Sequence, residues 1–156
     1  IPTTGLRFFT VYGPFGRPDM AYFKFADLIR KNKPIKIYNN GDMLRDFTYI
    51  DDIVMGIEHI LSAPPRADEN GVQYKIYNIG NSSPVRLLDF ITTLEHVLGK
   101  KAEKEYLPMQ PCDVYQTYAD VSELERNFDF RPKTSIEDGL EQFAAWYRDY
   151  YGMRQV

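Results

Sequence analysis

Short apolar runs alternate with longer stretches in which apolar residues recur at helical spacing. Leu6–Val11 predicts a short buried strand. The loop Tyr12-Gly13-Pro14-Phe15-Gly16-Arg17-Pro18-Asp19 follows, dense in Gly and Pro. Asp19 is placed to cap a helix reaching about Lys31, with Phe23, Phe25, Leu28 and Ile29 as its apolar face. Lys36-Ile37-Tyr38 predicts a short strand, Asn39-Asn40-Gly41-Asp42 a tight turn, and Arg45–Tyr49 an extended return. Asp51 is the expected cap of a second helix whose inner side carries Val54, Ile57, Ile60 and Leu61. Pro64–Gly71 reads as a polar surface loop.

Tyr74–Ile79 is a further apolar strand, closed by Gly80-Asn81. Leu87, Ile91, Leu94 and Leu98 repeat along one face of a helix over Val85–Leu98, and Gly99 stands at its C′ position. Glu103–Leu107 predicts a strand and Val121–Phe128 a short helix. Thr134-Ser135-Ile136-Glu137 fits a capping box for a helix to about Tyr151, with Gly152 beyond its end. Apolar strands separated by helices give an α/β class and are usually covered on both faces within a larger parallel sheet. The chain opens without Met and enters a strand at once, so these strands are expected to complete a sheet that lies mainly in a longer parent protein.

Composition narrows the functional classes. The 156 residues amount to one domain, and 44% hydrophobic content is enough for a core. Aromatic residues reach 15%, which favours a thick core or stacking surfaces for planar ligands. A net charge of −3 without any long basic run gives nucleic-acid binding little support, although a local basic site for an anion is compatible with it. One cysteine, Cys112, excludes an internal disulfide framework and suits a reducing cytoplasm. No apolar run approaches the length of a membrane span, and the opening residues do not form a signal peptide.

Several chemistries lack their residues. There is no Gly-rich dinucleotide fingerprint, no Walker A loop and no nucleophile elbow. None of the 12 tyrosines is followed by Lys four positions later, so no Tyr-x-x-x-Lys acid–base pair exists. His59 and His96 fall on different predicted helices without metal-ligand spacing and read as structural. No catalytic or metal-binding residue is assigned.

Two stretches suit ligand binding. Arg17 lies in a loop between a strand and a helix, where α/β proteins bind ligands, and its planar fork suits carboxylate or phosphate. An ordinary surface arginine is the plainer alternative. Between Lys36 and Phe47, a turn brings Tyr38 and Arg45 towards each other, an aromatic face beside a guanidinium. A hairpin with a cross-strand contact reads equally well. Asp51-Asp52 is better explained by helix capping than as a carboxylate pair. Asn81-Ser82-Ser83, formally a glycosylation acceptor, reads as a turn. Asp113, in the loop Gln110-Pro111-Cys112-Asp113-Val114, is an acceptor suited to ribose hydroxyls.

Gly5-Leu6-Arg7-Phe8-Phe9-Thr10-Val11-Tyr12-Gly13-Pro14, Gly16-Arg17-Pro18-Asp19-Met20, Arg45-Asp46-Phe47-Thr48-Tyr49-Ile50-Asp51-Asp52 and Tyr77-Asn78-Ile79-Gly80-Asn81 together resemble the extended short-chain dehydrogenase/reductase family. Within it they are most similar to the NAD-dependent nucleotide-sugar epimerases of the UDP-glucuronate 4-epimerase group. The resemblance covers essentially the whole chain and corresponds to the carboxy-terminal, substrate-binding half. It implies that Thr10 faces the sugar near the nicotinamide and that Arg17, with Met20 closing its loop, lies near the hexuronate carboxylate. It implies that Lys36, Ile37 and Tyr38 line the uracil and that Arg45 clamps the diphosphate. Gln110 and Asp113 match a loop closing over phosphate and ribose. Many relatives carry Arg at Gln110 and usually Gly at Cys112, which weakens a phosphate role for Gln110 and restricts the backbone of the loop.

The implied reaction of the whole enzyme inverts C4 of a UDP-hexuronate through a 4-keto sugar. The NAD cradle and the Tyr-x-x-x-Lys pair are expected upstream of Ile1, in a cytoplasmic homodimer. Residues 1–156 would then be one substrate-binding domain, inactive alone. A UDP-glucuronate decarboxylase, another sugar-nucleotide enzyme of the family, a non-catalytic nucleotide-sugar module and a structural domain are the alternatives.

Overall fold

A computed structural model describes residues 1–152. The run expected as one strand is two. β1 (Thr3–Phe8) runs parallel to β6 (Tyr74–Ile79), with Thr3 opposite Tyr74 and Phe8 opposite Ile79. β2 (Thr10–Tyr12) runs parallel to β5 (Phe47–Tyr49). The handover takes one residue: Phe9 N donates to Ile79 O at 3.3 Å and Thr10 N to Asp46 O at 3.2 Å. β1 is not buried as expected, since its side chains are at most partly covered and Phe8 is 49% exposed.

β3 (Ile35–Ile37) pairs parallel with β8 (Lys104–Tyr106), whereas β4 (Leu44–Arg45) pairs antiparallel with β7 (Val85–Arg86). The hairpin that stood as the alternative for the Lys36–Phe47 stretch does not form, since β3 and β4 pair with different strands. β3 ends at Ile37, and Tyr38–Gly41 forms a 3-10 turn with Asn39 and Asn40 at positive φ. Positive φ suits asparagine, whose short polar side chain tolerates the left-handed region.

Among the described residues, five α-helices complete the fold. α1 (Ala21–Arg30) is capped by Met20 without a side-chain bond; the expected cap, Asp19, instead accepts from Arg17. α2 (Ile50–Leu61) begins before Asp51, so Asp51 and Asp52 occupy its first turn, where carboxylates complement the dipole. Its inner face is Ile53, Gly56, Ile57 and Ile60; Val54 and Leu61, expected inside, are exposed. An offset of one residue turns a helical side chain by about 100° and moves it off the face. α3 (Leu87–Leu98) starts after the two strand residues of β7, and Gly99 ends it at φ 67 as expected. α4 is Ser122–Phe128 and α5 is Ile136–Tyr150. The capping box lies one residue later than read: the Ser135 side chain accepts from Asp138 N at 3.0 Å and donates to Asp138 Oδ2 at 2.8 Å.

The aromatic content goes mainly into the core. Tyr12 packs edge-on against Tyr22, Phe47, Tyr49 and Phe90, while Phe47 and Phe90 stack at 4.1 Å. Its hydroxyl donates to Ser135 O at 3.2 Å, and burial pushes the phenol far above its ordinary range. This core joins α1, α3 and α5 to β3 and β5. A smaller one joins α2, β6 and α4 through Ile53, Ile60, Tyr77, Ile79 and Leu124.

Candidate functional site

A cavity of about 540 Å³ lies where these short sheets meet. α1 supplies Ala21, Lys24, Phe25 and Leu28, the i, i+3, i+4, i+7 positions of one helical face. Pro34, Lys36 and Tyr38 come from β3 and its flanks. Met43, Arg45 and Phe47 alternate along the extended return and so point the same way. Gln110 and Asp113 enter from the loop after β8, Leu87 from the start of α3 and Thr10 from β2.

Arg45 organises one wall. Its Nη2 donates to Asp113 Oδ1 at 2.9 Å, and its Nη1 to the carbonyls of Leu44 and Tyr115 at 2.9 and 3.0 Å. The side chain is only 16% exposed. No bond engages its Nε among the described residues, and the other Nη2 hydrogen meets only the Met43 sulfur at 4.0 Å. One edge of the guanidinium fork therefore stays open to an oxyanion. The facing loop is pinned by the Tyr115 hydroxyl, which donates to Asp42 Oδ1 at 3.2 Å; that bond raises the phenol's pKa. Cys112, exposed in the same loop, stands at φ 67.

Arg17 is differently placed. Its Nε and Nη2 bond both oxygens of Asp19, at 3.0 and 2.7 Å, and both side chains are exposed. The bond from Arg17 leads in holding the Asp19 carboxyl below its ordinary value. Arg17 and Met20 line a second, largely apolar hollow of about 400 Å³ beside Phe8, Phe9 and Phe15.

Six of the nine residues singled out from the sequence thus share the main cavity: Thr10, Lys36, Tyr38, Arg45, Gln110 and Asp113. Arg17 and Met20 share the second hollow. Ile37 lines neither; it is fully buried in the core. Lys24, Met43 and Leu87 were missed. Lys24 lies on the helical face carrying Phe25 and Leu28, which the apolar pattern assigns to the core. Among the described residues no group of three His, Cys, Asp or Glu can hold a metal, and no helix is long and apolar enough to cross a membrane.

A family model described as NAD dependent epimerase/dehydratase family matches residues 1–80, just over half of the chain. The chain belongs to this family. It is 51% identical over 162 residues to Protein CapI of Staphylococcus aureus, covering 97% of this chain and 48% of that protein. It is 44% identical to a probable UDP-glucuronate 4-epimerase of Rhizobium meliloti, again covering 97% of this chain and 48% of the relative. The crystal structure of UDP-glucuronic acid 4-epimerase from Bacillus cereus, in complex with UDP-glucuronic acid and NAD, matches with a TM-score of 0.84 at 37% identity. That match covers 97% of this chain and 46% of that one. The chain spans about half the length of the curated relatives it matches. The resemblance to extended nucleotide-sugar epimerases and the α/β fold class are both borne out.

Proposed function

We propose that this chain is the UDP-sugar-gripping part of an NAD-dependent enzyme that inverts C4 of UDP-glucuronate or UDP-galacturonate. The observation that carries the reading is the open edge of Arg45 inside a cavity that also holds the Tyr38 ring and two lysines, Lys24 and Lys36. Among the cavity's acids, Asp113 pairs with Arg45 and Asp19 with Arg17. The wall is thus net positive in a chain of net charge −3 and suits a diphosphate. Tyr38 offers a stacking face for uracil, and Asp113 a ribose acceptor.

Epimerisation needs a nucleotide that stays fixed while the sugar turns. Arg45 and Tyr38 hold the uridine diphosphate in this reading, and Thr10 and Arg17 meet the hexuronate. To take a carboxylate, Arg17 exchanges its Asp19 partner for the ligand, a low-cost exchange because both groups are exposed. NAD supplies hydride exchange at C4. These residues hold no Gly-rich cradle for it, so its binding and the acid–base pair belong to the remainder of the parent protein. Homodimerisation and a cytoplasmic location of the parent belong to the same reading.

Titration calorimetry with UDP and UDP-glucuronate tests the grip. Binding of both by the chain, weakened in Arg45→Ala, supports it; affinity unchanged by that substitution refutes it. Product analysis of the parent protein separates a UDP-galacturonate-forming epimerase from a decarboxylase, which would form a UDP-pentose.

A further inference from the structure

Alternation along the extended return sends Met43, Arg45 and Phe47 into the cavity and turns Asp46 to the opposite side. Asp46 is fully buried there. Its Oδ2 accepts from Ala119 N at 2.8 Å and Ser82 N at 3.1 Å. Its N–H donates to Thr117 Oγ1 at 3.0 Å, and its carbonyl accepts from Thr10 N at 3.2 Å. One residue thus touches β2, the turn after β6 and the segment that follows Asp113.

That segment runs beside β4 as an irregular ladder. Leu44 N donates to Tyr115 O at 3.0 Å, and Thr117 N donates to Leu44 O at 3.2 Å. At Ala119 the next acceptor is the Asp46 carboxylate instead of a backbone carbonyl. The close approach is built in: a Cβ on Gly80 would overlap that of Ala119 and come within 3.3 Å of Asp46 Oδ2. Ser82, at φ 54, also donates from its hydroxyl to Ala119 O at 2.8 Å.

The arrangement carries a cost. Asp46 Oδ1 is the one buried side-chain oxygen or nitrogen without a partner among the described residues. Burial pushes the carboxyl above its ordinary value, against the backbone N–H groups that favour its charged form. A neutral acceptor could satisfy Ala119 and Ser82 with less desolvation. A carboxylate adds short, charge-assisted bonds that leave the segment less slack.

We infer that Asp46 is the positioning residue of the grip: its buried carboxylate sets the segment carrying Asp113 in register with Arg45. This rests on the reading of the cavity as a UDP-sugar site.

Calorimetry with UDP as the probe tests it on this chain. Asp46→Asn should keep or raise the thermal midpoint yet weaken UDP binding at least about tenfold. The same substitution in an Arg45→Ala background should cost little more, because the residue acts through Arg45. Parent-like affinity in Asp46→Asn, or an equal loss in both backgrounds, overturns the role. If Asp46→Asn does not fold, Thr117→Val decides, since it removes only the acceptor of the Asp46 N–H. A loss of about threefold supports the role and unchanged affinity overturns it. Failure of the parent chain to bind UDP, with Arg45→Ala no different, overturns the reading of the cavity and this role with it.

Discussion

Arg45 and Asp113 are 68 residues apart in sequence and 2.9 Å apart in space, and their contact joins the inner wall of the main cavity to the loop that covers it. The pair already satisfies part of the guanidinium, so an anion meets a fixed fork. A second element, the Tyr38 ring, lines the same cavity. The two should be separable by ligand. Arg45→Ala should weaken both UDP and pyrophosphate, whereas Tyr38→Ala should weaken UDP by about 1–3 kcal/mol and leave pyrophosphate unchanged. Calorimetry with the two ligands reads this directly. Equal losses of both ligands in Tyr38→Ala would remove the stacking role.

Arg17 tests the acidic end of the proposed ligand. A 4-keto sugar with a C5 carboxylate is a β-keto acid and loses CO₂ when the C–CO₂ bond aligns with the carbonyl. If Arg17 holds the carboxylate out of that alignment, Arg17→Ala in the parent protein releases UDP-pentose faster than the parent does. Product chromatography over time measures it, and an unchanged pentose yield removes the role.

Much of this site was legible because its residues announce their chemistry. Tyr38 and Arg45 offer an aromatic face and a guanidinium on either side of one turn, Asp113 offers an acceptor in a loop, and the structure puts all three on one cavity. The helix ended by Gly99 was legible for a local reason, its C-cap. What depends on distant partners was not. The break at Phe9 arises because β6 and β5 compete for one run of chain. Val54 and Leu61 satisfied the helical period but sit one step off the face that Ile79 and Phe130 cover. Asp46 lies between two residues that read as binding and strand, and only its burial marks it.

Cys112 offers a local test of backbone strain. At φ 67 a side chain with a Cβ is disfavoured, and glycine is not. Cys112→Gly should therefore raise stability by about 1 kcal/mol, or leave it level where added freedom of the unfolded loop offsets the gain. Urea unfolding of the two chains measures it, and a loss above 1 kcal/mol would contradict the strain argument.

Glu95 should make the fold acid-sensitive. Burial alone would push its carboxyl up, but bonds from Lys104, the Ala102 N–H and Lys101 outweigh it and hold the carboxyl below its ordinary value. A depressed folded value means that the stabilisation is complete above the unfolded value, near 4.5, and fades as pH falls through the folded one. Glu95→Gln should cost about 2 kcal/mol at neutral pH and flatten the loss of stability below pH 4.5. Thermal midpoints from pH 3 to 7, compared between the two chains, give the difference curve. Parallel curves would assign the acid sensitivity to other groups.

Gly139 is held by its contact with a ring. A Cβ there would overlap the Tyr12 hydroxyl and crowd the ring carbons behind it, at the centre of the larger core. Tyr12 cannot withdraw freely, because four aromatic rings surround it and its hydroxyl is tied to Ser135 O. Gly139→Ala should lose about 1–3 kcal/mol despite alanine's better helix propensity. Tyr12→Phe removes the overlapping oxygen together with its bond, so the double substitution should be less harmful than the two single costs added. Urea unfolding of the four chains closes this cycle. Strict additivity would show that α5 shifts to admit the methyl group and that the core is looser there than its packing suggests.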